Sequence, residues 1–137
     1  MTILGIDYGR KRIGIAVACL GIPMPLKPIK RTGVRADIKI IADIVNEYSV
    51  EKIVVGNPLN MNGTAGVMSR EAETFAALLK KKIKLPVVLV DERCTSRGAE
   101  EMLFKLGKNL KETKLKVDGI SACLILENYL DRERLSK

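Results

Sequence analysis

Thr2-Ile-Leu-Gly-Ile-Asp7-Tyr-Gly9-Arg-Lys-Arg12-Ile-Gly14-Ile-Ala-Val-Ala18 decides how this chain is read. Two apolar runs flank Gly9-Arg-Lys-Arg12, a turn of one glycine and three cations, so 2–8 and 13–19 are predicted to form an antiparallel hairpin. Alternation with period two puts Ile3, Gly5 and Asp7 on one face of the first strand. The last inward position of a core strand is then a carboxylate ringed by cations. An acid there is costly unless something pairs with it. Arg10 or Arg12 is one such partner, and a divalent metal that holds a phosphate is another.

Working outward, 24–30 reads as a third strand, placed at an edge by Pro23, Pro25 and Pro28. A helix is predicted over 35–48, with Ile38, Ile41, Ile44 and Val45 at helical spacing and charged residues on the other face. Lys52-Ile-Val-Val-Gly56 is a short apolar strand without alternation, the pattern of a strand covered on both faces. The loop 57–66 leads to a helix over 68–82 with Met68, Ala72, Phe75, Leu78 and Leu79 inward. Another buried strand is predicted over 86–92, then a helix near 96–106 and a last helix over 117–133 with Ile120, Cys123, Leu124 and Leu130 inward. Three strands followed by alternating helices and strands make one α/β domain over 1–137, with a mixed sheet and helices on both faces.

The bulk composition narrows the chemistry. Lys and Arg number 24 against 16 Asp and Glu, a net charge of +8 that favours a polyanionic partner. There is no histidine, which excludes a Ser-His-Asp triad, a histidine-based ribonuclease mechanism and a histidine-ligated zinc hydrolase. Five aromatic residues are too few for a stacking platform under single-stranded bases, so any grip on nucleic acid is expected to be electrostatic. Cys19, Cys94 and Cys123 are odd in number and form no CxxC pair, which suits a reducing cytoplasm. No apolar run approaches the ~20 residues a membrane span requires.

Three acids stand where the pattern prefers something else: Asp7, the pair Asp91-Glu92 at the end of the last strand, and Asp118 at the start of the final helix. Ligands gather beyond the carboxyl ends of strands in open α/β sheets, so these acids are expected to share a rim. Together they repel unless Mg²⁺ or Mn²⁺ lies between them. Such a centre activates water against a phosphodiester. Asp91 and Glu92 point to opposite faces, so only one reaches the site, and the pattern does not choose. Each acid also has a plain reading, as a strand-end acid or a helix N-terminal acid favoured by the dipole. The candidate nucleic-acid contacts are Arg10, Lys11 and Arg12 beside Asp7, Asn60 in the Gly56–Gly66 loop, and Lys108, Lys111, Lys114 and Lys116 before Asp118. The four lysines over 80–84 read as a solvated helix end.

Four ordered stretches resemble the YqgF/RuvX family: Asp7-Tyr-Gly-Arg-Lys-Arg-Ile-Gly14, Val55-Gly-Asn-Pro-Leu-Asn-Met-Asn-Gly63, Val90-Asp-Glu-Arg-Cys-Thr-Ser96 and Lys116-Val-Asp118 through Leu130. The resemblance implies a ribonuclease H-like fold. It also implies a bacterial, cytoplasmic, Mg²⁺- or Mn²⁺-dependent nuclease that matures the 5′ end of precursor 16S ribosomal RNA, alone or within a pre-ribosomal particle. A Holliday junction resolvase on four-way DNA and a non-catalytic ribosome-assembly factor are the alternatives, and either a monomer or a homodimer fits. Carried over, Asp7, Glu92 and Asp118 are the catalytic metal ligands. The chain departs from the family pattern at Asn57, commonly Leu, at Asn62, often Asp, and at Cys94, often Leu.

Overall fold

A computed structural model describes residues 1–58, 65–91 and 115–136, with side chains over 119–134 in the last stretch. The predicted hairpin is present: β1 (Thr2–Tyr8) pairs antiparallel with β2 (Arg12–Cys19), from Thr2 opposite Cys19 to Tyr8 opposite Ile13. Gly9 closes the turn, its N–H shared between the carbonyls of Asp7 and Arg12 at 3.1 Å each. A Cβ at Gly9 would lie 2.6 Å from the Arg12 carbonyl, so the turn requires glycine.

The predicted third strand is two short ones. β3 (Ile22–Pro25) and β4 (Ile29–Lys30) both pair antiparallel with β2, and Pro28 interrupts the ladder between them because it carries no N–H. The connection from β2 to β3 is Leu20-Gly21, both left-handed, as a two-residue hairpin with the right twist demands. α1 (Val34–Tyr48) leads to β5 (Lys52–Asn57), and α2 (Val67–Ile83) to β6 (Val87–Asp91). β5 lies parallel to both β1 and β6, giving the order β3-β2-β1-β5-β6 with β4 on β2. α3 (Leu115–Ser136) closes the described chain. The helix predicted near 96–106 lies outside the described residues.

The two sheet faces carry separate cores. Leu4, Ile6, Tyr8, Ile13, Ile15, Ile53 and Val55 pack against α1 and α2, with Ile41, Phe75 and Leu79 the largest fully buried apolar side chains that these helices contribute. Ile3, Ala16, Ala18, Val54 and Val90 pack against Ala122, Cys123, Ile125, Leu126 and Tyr129 of α3. Each large side chain so buried contributes about 1.5–3 kcal/mol from removal of apolar surface. β5 is buried on both faces, as its unbroken apolar run implied. β6 is not: at the edge of the described sheet only Val90 is buried, and Leu89 is exposed.

α3 crosses the sheet obliquely. Its Gly119 touches Pro25 of β3, its 122–126 turn rests on Gly5 of β1, and Tyr129 accepts a 2.6 Å hydrogen bond from Lys52 Nζ of β5. Gly5 is what lets the helix approach, since a Cβ there would lie 2.5 Å from Leu126 Cγ and 2.9 Å from the Ala122 carbonyl. The expected inward set for this helix was only partly right. Cys123 and Ile120 are buried, but Leu124 and Leu130 are half-buried, and Ala122, Ile125, Leu126 and Tyr129 carry the contact.

Candidate functional site

Asp7 is half-buried near the C-terminal end of β1, on the face that α3 covers. The register shows what flanks it. Gly14 of β2 is directly opposite, and Gly56 of β5 lies one step beyond the Ile6–Val55 pair. Neighbouring strands sit about 4.8 Å apart, so both lateral neighbours of the carboxylate are positions without a side chain.

Of the expected rim acids, Asp118 falls in the first turn of α3, on the Asp7 face of the sheet, and its successor Gly119 packs on Pro25 and Leu26. Asp91 is directly opposite Asn57 and shares the parity of Val87 and Leu89, so it belongs to the α1/α2 face, away from Asp7. Val88 and Val90 share the Asp7 face. Glu92 lies outside the described residues, as do Asn60, Lys108, Lys111 and Lys114; Lys116 joins Asp118 in the first turn of α3, with only its backbone described.

The turn after Asp7 is held from the side by Arg31, which sequence reasoning passed over. Its guanidinium donates to the carbonyls of Gly9 at 3.0 Å and Arg10 at 3.3 Å and to the Tyr8 hydroxyl at 2.6 Å. It also lies 4.3 Å over the Tyr8 ring, which stacks on Phe75 at 4.1 Å. Burial pushes the Tyr8 hydroxyl above the usual phenol range, and the Arg31 charge pulls it back only in part. The backbone N–H of Arg31 donates to the Lys11 carbonyl at 3.0 Å, so one residue secures both limbs of the turn.

Two buried polar groups also escaped the sequence pattern. Asp37, expected on the solvated face of α1, is fully buried; its Oδ1 accepts the Thr32 N–H at 3.2 Å, which ties the Arg31 segment to the helix start. Asn57, where the resemblance led one to expect leucine, is buried and accepts a 2.5 Å hydrogen bond from Ser69 Oγ. That bond explains why Ser69 takes the buried position on α2 while Met68 is half-buried at the rim beside Arg10.

A cleft of about 1030 Å³ opens beside the hairpin, lined by Arg10, Lys11, Arg12, Lys27, Lys30 and Arg31 together with Pro25, Leu26, Pro28 and Gly119. Among the described residues that line it, six of ten are cationic and none is acidic, a charge that favours an anion, and the cleft adjoins the turn that follows Asp7. Arg10, Lys11 and Arg12 were anticipated; Lys27, Lys30 and Arg31 were not, because they are spread over a proline-rich stretch read only as an edge strand.

Comparison with known proteins agrees with this geometry. Residues 1–132 match the family model RuvX, described as Holliday junction resolvase. A protein of Syntrophus aciditrophicus named "Putative pre-16S rRNA nuclease" is 42% identical over 133 residues, covering 96% of this chain and 89% of that protein. A Clostridium tetani protein of the same name is 42% identical, covering 96% of each. Among solved structures, Thermus thermophilus RuvC in complex with a Holliday junction substrate superposes with a TM-score of 0.70 at 18% identity, over 100% of this chain and 97% of that one. The fowlpox virus Holliday junction resolvase gives 0.59 at 11% identity, over 96% and 99%. These likenesses establish the ribonuclease H-like α/β fold, with its mixed sheet between helices. The chain belongs to the RuvX family of nucleases.

Proposed function

We propose that the chain is a metal-dependent endonuclease that processes the 5′ end of precursor 16S ribosomal RNA in the cytoplasm, with Asp7, Glu92 and Asp118 as its catalytic carboxylates. The observation that carries this reading is Asp7 set between Gly14 and Gly56, near a cleft with six cations among its described lining residues. The donor chemistry fits Mg²⁺ or Mn²⁺: these are hard cations that take carboxylate oxygen, and the chain has no histidine to favour a softer metal. Asp118 lies in the first turn of α3, the helix on the Asp7 face of the sheet. Glu92 is the next position in the sequence with the parity of Val88 and Val90, which argues for it over Asp91 as the third acid. Bound there, the metal would polarise the scissile phosphate and lower the pKa of a water. The chain's own residues do the rest. Asp7 holds its carboxylate at a fixed strand position, Arg31 keeps the turn behind it from shifting, and the cleft cations draw the phosphate backbone toward it.

The substrate is assigned from the names of relatives about 40% identical over nearly the whole chain. A second reading, four-way DNA, has its own support in the family description and in the junction-bound RuvC of like fold. The test pairs wild type with Asp7→Asn on a labelled precursor 5′ leader and a four-way junction, each with Mg²⁺, Mn²⁺ or EDTA. Metal-dependent cutting of the leader, lost in the variant, is the expected result. Symmetric junction cutting would move the substrate to DNA, and cutting that survives Asp7→Asn would refute the assigned centre.

A further inference from the structure

A second pocket, of about 780 Å³, opens on the α1/α2 face of the sheet, over Tyr8 and Phe75 and beside the starts of α1 and α2. Arg10 and Arg31 line both this pocket and the cleft described above. Its apolar wall is Val34 and Val67, the exposed first residues of the two helices, with Leu78. Two of its arginines are committed: Arg31 to the turn carbonyls and the Tyr8 hydroxyl, and Arg10 Nε to Met68 Sδ at 3.3 Å. Arg70 and Glu71 are not. Both are exposed, both line the pocket, and neither side chain makes an ion pair or hydrogen bond with another described residue. The Glu71 charge reaches the Tyr8 hydroxyl, which accepts from Arg31 and keeps its own proton to donate.

An anion and a cation that pair with neither each other nor another described side chain, beside an apolar wall, suit a flat neutral ligand whose edge carries donors and acceptors together. A carboxylate accepts two parallel N–H bonds, and guanine is the base that offers two adjacent donors, N1–H and the 2-amino group. Adenine and cytosine offer one amino group beside a ring-nitrogen acceptor, and uracil one N–H between two carbonyls. Each therefore sets a lone pair against the second carboxylate oxygen. An arginine of a peptide also brings two donors, but the three arginines lining the pocket repel it. We propose that this pocket reads a guanine base: Glu71 accepts from N1–H and the 2-amino group, Arg70 and Tyr8 donate to O6 and N7, and Val34, Val67 and Leu78 cover the ring. Supply of that base by a nucleic-acid strand rests on the nuclease reading above. Tyr8 follows Asp7 but takes the opposite face of the sheet, so the guanine belongs to a nucleotide flanking the scissile phosphate, and the pocket biases where a strand is cut.

The test is binding by fluorescence anisotropy in EDTA, where nothing is cut, of short oligouridylates with one central guanine, inosine or adenine. A good bidentate pair discriminates by about tenfold, so guanine should bind about tenfold tighter than adenine, with inosine, which lacks the 2-amino group, between them. Glu71→Gln should bring the three together. Glu73→Gln, the same loss of charge at an exposed α2 position off the pocket, should preserve the order. Equal binding of the three by wild type, no binding by wild type, an order that survives Glu71→Gln, or an order lost equally in Glu73→Gln would each overturn the pocket. Competition by GMP separates the sources of the base. GMP weaker than the guanine oligonucleotide places the guanine in a strand, GMP as strong assigns the pocket to a free guanine nucleotide, and AMP competing as well as GMP overturns guanine recognition. Because cleavage is scored separately, the two readings fail separately. A protein that cuts without the guanine order loses the pocket alone. One that never cuts but shows the order, lost in Glu71→Gln, loses the nuclease assignment and keeps the pocket.

Discussion

Replacing Gly5 by alanine tests how α3 is held over the site. The added methyl would lie 2.5 Å from Leu126 Cγ and 2.9 Å from the Ala122 carbonyl oxygen. Carbon atoms at rest sit about 3.5–4.0 Å apart, so the 122–126 turn must retreat by roughly 1 Å or the side chains must leave their rotamers. Overpacking of this kind costs about 1–3 kcal/mol. For a domain of this size that is a fall in Tm of roughly 3–15 °C. The same retreat carries the first turn of α3, and Asp118 with it, away from Asp7. If Asp7 and Asp118 form the proposed centre, a displacement near 1 Å there costs on the order of 10²-fold in rate. The assay is thermal unfolding together with metal-dependent cleavage at saturating Mn²⁺, run on Gly5→Ala, Leu126→Ala and the double variant. If the clash is with Leu126, the double variant is less destabilised than the sum of the singles by about 1 kcal/mol or more. Full additivity, or a Gly5→Ala protein with wild-type Tm and rate, would refute the argument that glycine sets the height of this helix.

Further outcomes follow from two side chains outside the carboxylate set, Arg31 and Cys123. Arg31→Gln loses charge-assisted hydrogen bonds to two carbonyls and the Tyr8 hydroxyl, and should lower stability by about 1.5–3 kcal/mol in urea unfolding. Arg31→Lys should not restore it, because an ammonium cannot reach three acceptors in a fork; full rescue by lysine would show that charge alone matters. Burial, with Glu127 adding to it, pushes the Cys123 thiol up to about 12, so at pH 8 a maleimide should label exposed Cys19 and spare Cys123 until the protein unfolds. The unfolded thiol ionises near about 8.5, so the stability that Cys123 contributes is fully present below that pH. It is lost as pH rises from there toward 12, and Cys123→Ala should flatten that part of the stability profile.

Much of the architecture was legible because it depends on local periods. Alternation alone placed Asp7 with Ile3 and Gly5 on one face, and the helical spacing of Ile38, Ile41 and Val45 marked the inner side of α1. The charged turn at 9–12 was visible because its cations are contiguous. Asp37 and Asn57 were not legible as buried residues, since the donors that meet them, the Thr32 N–H and Ser69 Oγ, lie outside the periodic pattern of their own elements. The division of 24–30 into two strands was also hidden, because a proline announces a break in a ladder but not which strand resumes it.

By itself, then, the sequence determined the inward carboxylate at the end of β1, the basic turn behind it, the mixed sheet and the family. Tertiary structure decided what stands beside that carboxylate: Gly14 and Gly56 as its neighbours, Asp91 on the opposite face, Lys30 across from Arg12, and Arg31 bound into the turn. The physical reason is register. Which face a residue takes follows from its own strand, whereas which residue lies opposite is set by pairing between segments distant in the chain, and a slip of one position would exchange every neighbour.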